Sequence, residues 1–282
     1  MRQIMTAMAV LLALASPLKA ENGTGLTQLM TAYEAQGWEG VGRLNIGPNG
    51  MCTGALVSPK LVLTAAHCVI DNRTGREVAP RVVEFLAGWR NGRASAYRDV
   101  RRIVVHPDYE YTGEDGPLRV ANDVALLELE SPIRLSNVQP FSTAERPRKG
   151  STVGVVSYAH DRSETPSLQE VCHVLARQRG TLILSCEVDF GSSGSPVFAE
   201  VDGEPRIVSV VSAKAMIGGR PVSLGTNLER PLADLMTLMN TAPDALGPSA
   251  GEPRRIGVSS DPRRITPGAG APSSGGAKFL RP

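Results

Sequence analysis

Three short segments carry side chains suited to one kind of chemistry. Gly191-Ser192-Ser193-Gly194-Ser195-Pro196 is a serine loop between two apolar runs, Leu182-Ile183-Leu184-Ser185-Cys186 and Val197-Phe198. Glycine lets the backbone take positive φ and approach a ligand closely. A serine on such a turn can expose its Oγ while neighbouring N–H groups converge on one point. That is what an acyl-transfer nucleophile beside an oxyanion hole requires. Taken alone, a serine-glycine loop is more often a plain turn. Leu63-Thr64-Ala65-Ala66-His67-Cys68 surrounds a histidine with small residues at a strand end. Such a setting leaves room for an imidazole reached from solvent. Asn122-Asp123 leads the apolar run Val124-Ala125-Leu126-Leu127, which places the Asp123 carboxylate at the edge of a core. A buried carboxylate needs a partner, and a histidine N–H is a good one.

The elements that must position these residues read as short strands and tight turns. Residues 41–46 and 51–57 flank Gly47-Pro48-Asn49-Gly50 and predict a hairpin, with Asn-Gly as its turn signal. A second hairpin is expected over 82–89 and 96–105, around Asn91-Gly92. Further strands are expected at 62–65, 124–129, 152–157, 171–176, 181–187, 197–200 and 207–212. Many short strands with regular turns indicate an all-β sandwich or barrels. Leu232, Leu235, Met236 and Met239 fall at helical spacing, so one amphipathic helix over about 229–240 closes the domain. Residues 21–37 form a lead-in, with a short helix expected over Leu26 to Ala35. From 243 to 282, Gly, Pro, Ser and Arg dominate, which is the composition of a disordered tail.

The chain has 282 residues, 41% hydrophobic and 21% charged, enough for one large or two small domains with a real core. A formal net charge of +2 gives no field for nucleic acid, and aromatics at 4% are too few for base stacking. Arg2, the apolar stretch from Ile4 to Ala15 and the sequence Leu18-Lys19-Ala20 read as a secretory signal peptide over 1–20. An uncleaved anchor is the alternative, but the stretch is too short to span a bilayer, so no membrane span is expected after its removal. Secretion or a periplasmic location follows. Cys52, Cys68, Cys172 and Cys186 suggest two disulfides in an exported chain, with three connectivities open. Pairing sequence neighbours gives 52–68 and 172–186. The spacings do not match zinc sites, so neither a metal nor another cofactor is expected.

Taken together, the segments resemble the trypsin/chymotrypsin-like serine proteases. Cys52-Thr53-Gly54-Ala55-Leu56-Val57-Ser58 with Thr64-Ala65-Ala66-His67-Cys68 is similar to that family's histidine segment. Asn122-Asp123-Val124-Ala125-Leu126-Leu127 is similar to its aspartate segment, and Gly191-Ser192-Ser193-Gly194-Ser195-Pro196 to its serine segment. The order His, Asp, Ser also matches, whereas an α/β-hydrolase runs Ser, Asp, His. The resemblance covers about residues 38–240. It implies two six-stranded antiparallel β-barrels, one over about 38–140 and one over about 150–228, followed by the helix. It also implies a triad of His67, Asp123 and Ser193, oxyanion donors at the Gly191 and Ser193 N–H groups, and polypeptide substrates. A monomer is expected. Against the pattern Gly-Asp-Ser-Gly-Gly-Pro, the nucleophile falls at Ser193, and Ser195 fills the second glycine position. Ser192 stands where many animal members carry an Asp that pairs with a newly cut N-terminus. In this respect the segment is similar to bacterial members, including the glutamyl endopeptidases.

The resemblance also implies a specificity pocket drawn from Glu187, Asp189, Val211 and Ser212. An acid at its base would favour Arg or Lys before the cut bond; the alternative is that both carboxylates face solvent, or that Cys186 reshapes the pocket. Glutamyl members place a histidine near Val211, and its absence argues against cleavage after Glu. Ser212 matches a serine that hydrogen-bonds the triad Asp. Two rivals share the fold: a catalytically silent binding protein, and an esterase using the same site.

Overall fold

The structure, a computed structural model, describes residues 25–111 and 117–241. The expected signal segment 1–20 and the expected tail 243–282 lie outside the described residues, as do the first residues of the lead-in. In the first half, β1 (Leu26–Gln28) precedes β2 (Val41–Ile46), β3 (Gly50–Ser58) and β4 (Leu61–Thr64). A 3-10 turn (Ala66–Val69), the small ribbon of β5 (Ile70–Asp71) and β6 (Arg76–Glu77), then β7 (Val83–Ala87) and β8 (Ala96–Val105) follow. A single-turn helix α1 (Pro117–Ala121) leads into β9 (Ala125–Leu129). In the second half come β10 (Thr152–Ser157), a 3-10 turn (His160–Arg162), β11 (Ser167–Gln178), β12 (Thr181–Leu184), β13 (Pro196–Val201), β14 (Glu204–Ile217) and β15 (Arg220–Asn227). Helix α2 (Glu229–Thr241) ends the described chain.

Strands β2-β3-β4-β9-β8-β7 close into one antiparallel barrel. Strands β11-β10-β13-β14-β15-β12 close into a second through the β11–β12 pairing. Closure removes the free strand edges that an open sheet would expose. The stretch Ile207–Val211 in β14, apolar but for Ser209, is buried on both faces. Val208 and Val211 join the second barrel's core, while Ile207 and Val210 join the core shared with the first. Trp38, Phe141 and Phe198 meet where the barrels abut, with ring centroids 4.8 to 6.1 Å apart. Such aromatic pairs add about 0.5–1.5 kcal/mol each beyond area burial. Helix α2 returns to β8 and β9 of the first barrel, burying Leu235 and Met239 as its spacing predicted.

Two expectations need correction. Leu26 to Ala35 is not a helix: Leu26–Gln28 extends the second barrel by pairing with Ser167–Gln169 of β11, and turns follow. Here an available strand edge overrides local helical spacing. The expected strands also stop short of β15, because Pro221 and Gly225 read as turn signals. Pro221 sits at the beginning of its strand, a place that tolerates a missing N–H.

Candidate active site

His67 stands in the turn after β4. Ala65 and Ala66 are fully buried beneath it, and the Cys52–Cys68 disulfide ties the turn to β3. Asp123, at the entry to β9, is fully buried. Its Oδ1 accepts the His67 backbone N–H at 2.9 Å, and its Oδ2 lies 2.6 Å from His67 Nδ1. The Ser212 hydroxyl on β14 donates to the same Oδ2. A buried carboxylate with this many donors is compensated as an anion. Because the carboxylate faces Nδ1, that nitrogen carries the imidazole proton, and Nε2 keeps its lone pair. From the second barrel, the Thr226 hydroxyl approaches the carbonyls of Val120 and Asp123 at 2.7 and 3.1 Å, fixing the approach to β9.

The serine loop owes its course to two glycines. Gly191 has φ +97° and Gly194 φ +79°. A Cβ on Gly194 would collide with the Thr53 carbonyl and the Thr64 hydroxyl, and one on Gly191 with Met51 and Ala159. The three serines of the loop have different surroundings. Ser192 and Ser195 are fully buried, whereas Ser193 is only partly so. Among the described residues the Ser195 hydroxyl has no hydrogen-bond partner. Arg162 Nη2 lies 3.3 Å from both Ser192 Oγ and Ser157 Oγ, and its Nη1 lies 3.0 Å from Asp161 Oδ1. A built-in cation therefore rests against Ser192. No hydrogen bond joins His67 to Ser193 among the described residues, but the loop lies against the histidine segment through Gly194, which packs on Thr64 and Ala65.

Peptide planarity makes each N–H point opposite to the C=O of the same unit. The Phe190 carbonyl shares its peptide with the Gly191 N–H, and it accepts the His160 N–H at 2.8 Å. The Ser192 carbonyl shares its peptide with the Ser193 N–H, and it accepts the Ser195 N–H at 3.0 Å. Both carbonyls are held, so both N–H groups are aimed. Among the described residues, neither N–H donates to a protein acceptor.

Around the expected pocket, Val211 is buried and tied to the loop, its carbonyl accepting the Gly194 N–H at 2.8 Å and its N–H donating to Ser195 at 2.9 Å. Glu187 is exposed, with its backbone N–H on Gln169 Oε1. Asp189 is half exposed and engaged: Lys214 Nζ lies 2.8 Å from its Oδ1. The Lys214 hydrogen bond, aided by the Phe190 N–H, holds the Asp189 carboxyl below the usual carboxylate range. Lys214 also lies 4.3 Å from the centroid of the exposed Phe190 ring. The second disulfide, Cys172–Cys186, joins β11 to the segment leading to this wall.

A model of the family named Trypsin matches residues 30–221, more than half of the chain. The chain belongs to the trypsin family. Among similar proteins are the Glutamyl endopeptidase of Bacillus licheniformis, 26% identical over 67% of this chain and 59% of that protein, and the Venom serine protease 34 of Apis mellifera, 27% identical over 40% and 29%. The Complement C1r-B subcomponent of Mus musculus is 34% identical over 32% of this chain and 12% of its own length. The chain thus spans from 12 to 59% of these curated relatives. A solved Glu endopeptidase in complex with MPD aligns with TM-score 0.64 and 19% identity, covering 77% of this chain and 97% of that one. At that identity the likeness is one of fold.

In this trypsin-family chain, three features escape a reading of the sequence. Arg162 lies in the charged run His160-Asp161-Arg162, which looks like a solvated turn, yet its guanidinium is buried. Lys214 continues the strand past Ser212 with nothing to mark its reach to Asp189. Thr53 sits inside the histidine-segment motif without any sign of its partners, which lie far away in sequence.

Proposed function

We propose that this chain is an exported serine endopeptidase that hydrolyses polypeptides through an acyl-enzyme. The observation that supports it best is the pair of aimed, uncommitted N–H groups flanking the one serine of the loop that reaches solvent. Ser193 Oγ attacks the scissile carbonyl carbon, and its proton passes to His67 Nε2. Asp123 keeps the imidazole oriented and stabilises its charged form. The carbonyl oxygen becomes an oxyanion and accepts from Gly191 N–H and Ser193 N–H, donors whose alignment needs no rearrangement during reaction. Collapse breaks the C–N bond, the His67 proton leaves with the amine, and water repeats the sequence to free the acid and restore Ser193. Hydrogen bonds of this kind often close only when substrate binds, which accommodates the separate His67 and Ser193 side chains.

Preference for Arg or Lys before the cut bond rests on Glu187, whose carboxylate has no ion-pair partner among the described residues; Asp189 is occupied by Lys214. A second reading, preference for an acidic side chain, is favoured by the likeness to the Glutamyl endopeptidase of Bacillus licheniformis and by the Lys214 ammonium on the same wall, which would exchange the half-exposed Asp189 carboxylate for that of the substrate. Cleavage of a mixed peptide library by the purified protein, with Ser193→Ala as control, tests both. Cuts after Arg or Lys that vanish in the control support the first preference, and cuts after Glu or Asp the second. No cuts at all would favour the silent binding protein, and cleavage of esters alone the esterase.

A further inference from the structure

Thr53 on β3 is fully buried and polar, and its hydrogen bonds run in four directions. Its N–H donates to the Ser193 carbonyl at 2.8 Å. Its hydroxyl donates to the Gly191 carbonyl at 3.0 Å and accepts the Tyr158 N–H at 3.0 Å. Its carbonyl accepts the Thr64 hydroxyl at 2.9 Å, three residues before His67. One residue of the first barrel thus grips the serine loop, the turn after β10 and the histidine segment together. We propose that Thr53 is a positioning residue for the oxyanion donors, and that its hydroxyl is the group responsible. This rests on the endopeptidase reading above.

Gly191, at φ +97°, occupies a region that glycine enters and leaves at little cost. Nothing in the glycine itself keeps its N–H turned toward substrate. Three contacts do. The His160 N–H holds the peptide before Gly191 through the Phe190 carbonyl; the peptide after it is held at its carbonyl by the Thr53 hydroxyl and at its N–H, that of Ser192, by the Asp189 carbonyl at 2.9 Å. The same hydroxyl receives the Tyr158 N–H, which anchors the turn that presents His160. Tyr158 is itself fixed, with its buried phenol donating to the Trp89 carbonyl at 2.8 Å. Without the hydroxyl, a buried N–H and a buried C=O both lose partners. The local remedy is rotation of the Gly191 peptides, which turns a donor away from the oxyanion. A threonine kept only for packing would need its methyl, not its hydroxyl.

The test compares Thr53→Val, which keeps the shape and loses the hydroxyl, with Thr53→Ser, which keeps the hydroxyl and loses the methyl. Thr53→Val should lower kcat by roughly ten- to a hundredfold with KM within about twofold, while Thr53→Ser stays within about threefold of the parent. Affinity for a peptide aldehyde, which forms a tetrahedral adduct, should fall in step with kcat, and affinity for a product peptide should not. The proton resonance between His67 and Asp123 should be unchanged in Thr53→Val, showing that the histidine half is intact. Where the valine variant does not fold, Thr53→Ala carries the same comparison. Equal kcat in parent and Thr53→Val, or equal losses in the Val and Ser variants, overturns the role of the hydroxyl while leaving the endopeptidase reading intact. A parent protein that neither cleaves peptides nor captures the aldehyde overturns both.

Discussion

Thr53 bonds to Gly191 and Ser193, Lys214 to Asp189 just before them, and the surroundings of the two differ in kind. Around Thr53 the groups are buried, mostly backbone, and paired within short distances: Gly191, Ser193, Tyr158 and Thr64 all bond to one residue. Around Lys214 they are exposed side chains: Asp189 at half exposure and Phe190 at 69%. Buried hydrogen bonds in a low dielectric fix direction, because breaking one leaves an unsatisfied group. Exposed ion pairs contribute little to stability and rearrange easily. On the proposed reading, the reacting geometry is therefore built from the rigid kind of contact and the selecting surface from the adaptable kind. Substitutions on the first side should change rate, and substitutions on the second should change choice.

The largest expected effect is on the rigid side. Ser193→Ala should lower turnover by about a millionfold while the circular dichroism spectrum stays that of the parent. Retained turnover there, with loss in Ser195→Ala, would move the nucleophile and undo the contrast. Thr53→Val comes next, as described above. Ser212→Ala removes one hydrogen bond to the buried Asp123 carboxylate and should reduce kcat about tenfold; an unchanged kcat would show that His67 alone suffices to hold that carboxylate. On the adaptable side, Lys214→Gln should leave kcat on the best substrate within about threefold and shift the ratio of basic to acidic cleavage sites by about five- to tenfold. A loss of rate on every substrate alike would mean that Lys214 belongs with the rigid set. Because the folded Asp189 titrates below its ordinary 3.8, the clasp is present at neutral pH and is lost only when acidification passes that lowered value. Wild-type selectivity should therefore hold through mildly acidic buffers. Ser195→Ala is the smallest change. It deletes a buried hydroxyl without a partner among the described residues, so thermal stability should stay within about 0.5 kcal/mol of the parent or rise slightly, with activity unchanged.

The same contrast explains what could be read from the chain. His67, Asp123 and Ser193 stand in short motifs whose small neighbours announce a tight turn, and the strands between them alternate or run apolar as barrels require. The β1 pairing was hidden because its partner, β11, lies in the other half of the chain, and β15 was hidden by Pro221 and Gly225. The Asp189–Lys214 clasp depends on how closely β14 passes the serine loop, a distance that no local pattern encodes. For Thr53, the motif shows the residue but not that its hydroxyl meets Gly191 and Tyr158, since those partners are brought near only when the two barrels dock.

The pairing of Leu26–Gln28 with Ser167–Gln169 also sets a timetable. The earliest described strand has its place on a partner from the second half of the chain, so a chain made from its N-terminus must hold that strand in waiting. Contacts this distant in sequence form late and slowly, after the entropy of closing a long loop has been overcome. Ser193 follows β11, and Ser212 follows Ser193. A partly made chain therefore has His67 and Asp123 but neither the proposed nucleophile nor the loop that carries it. On the proposed reading, activity arrives only with the last barrel strands.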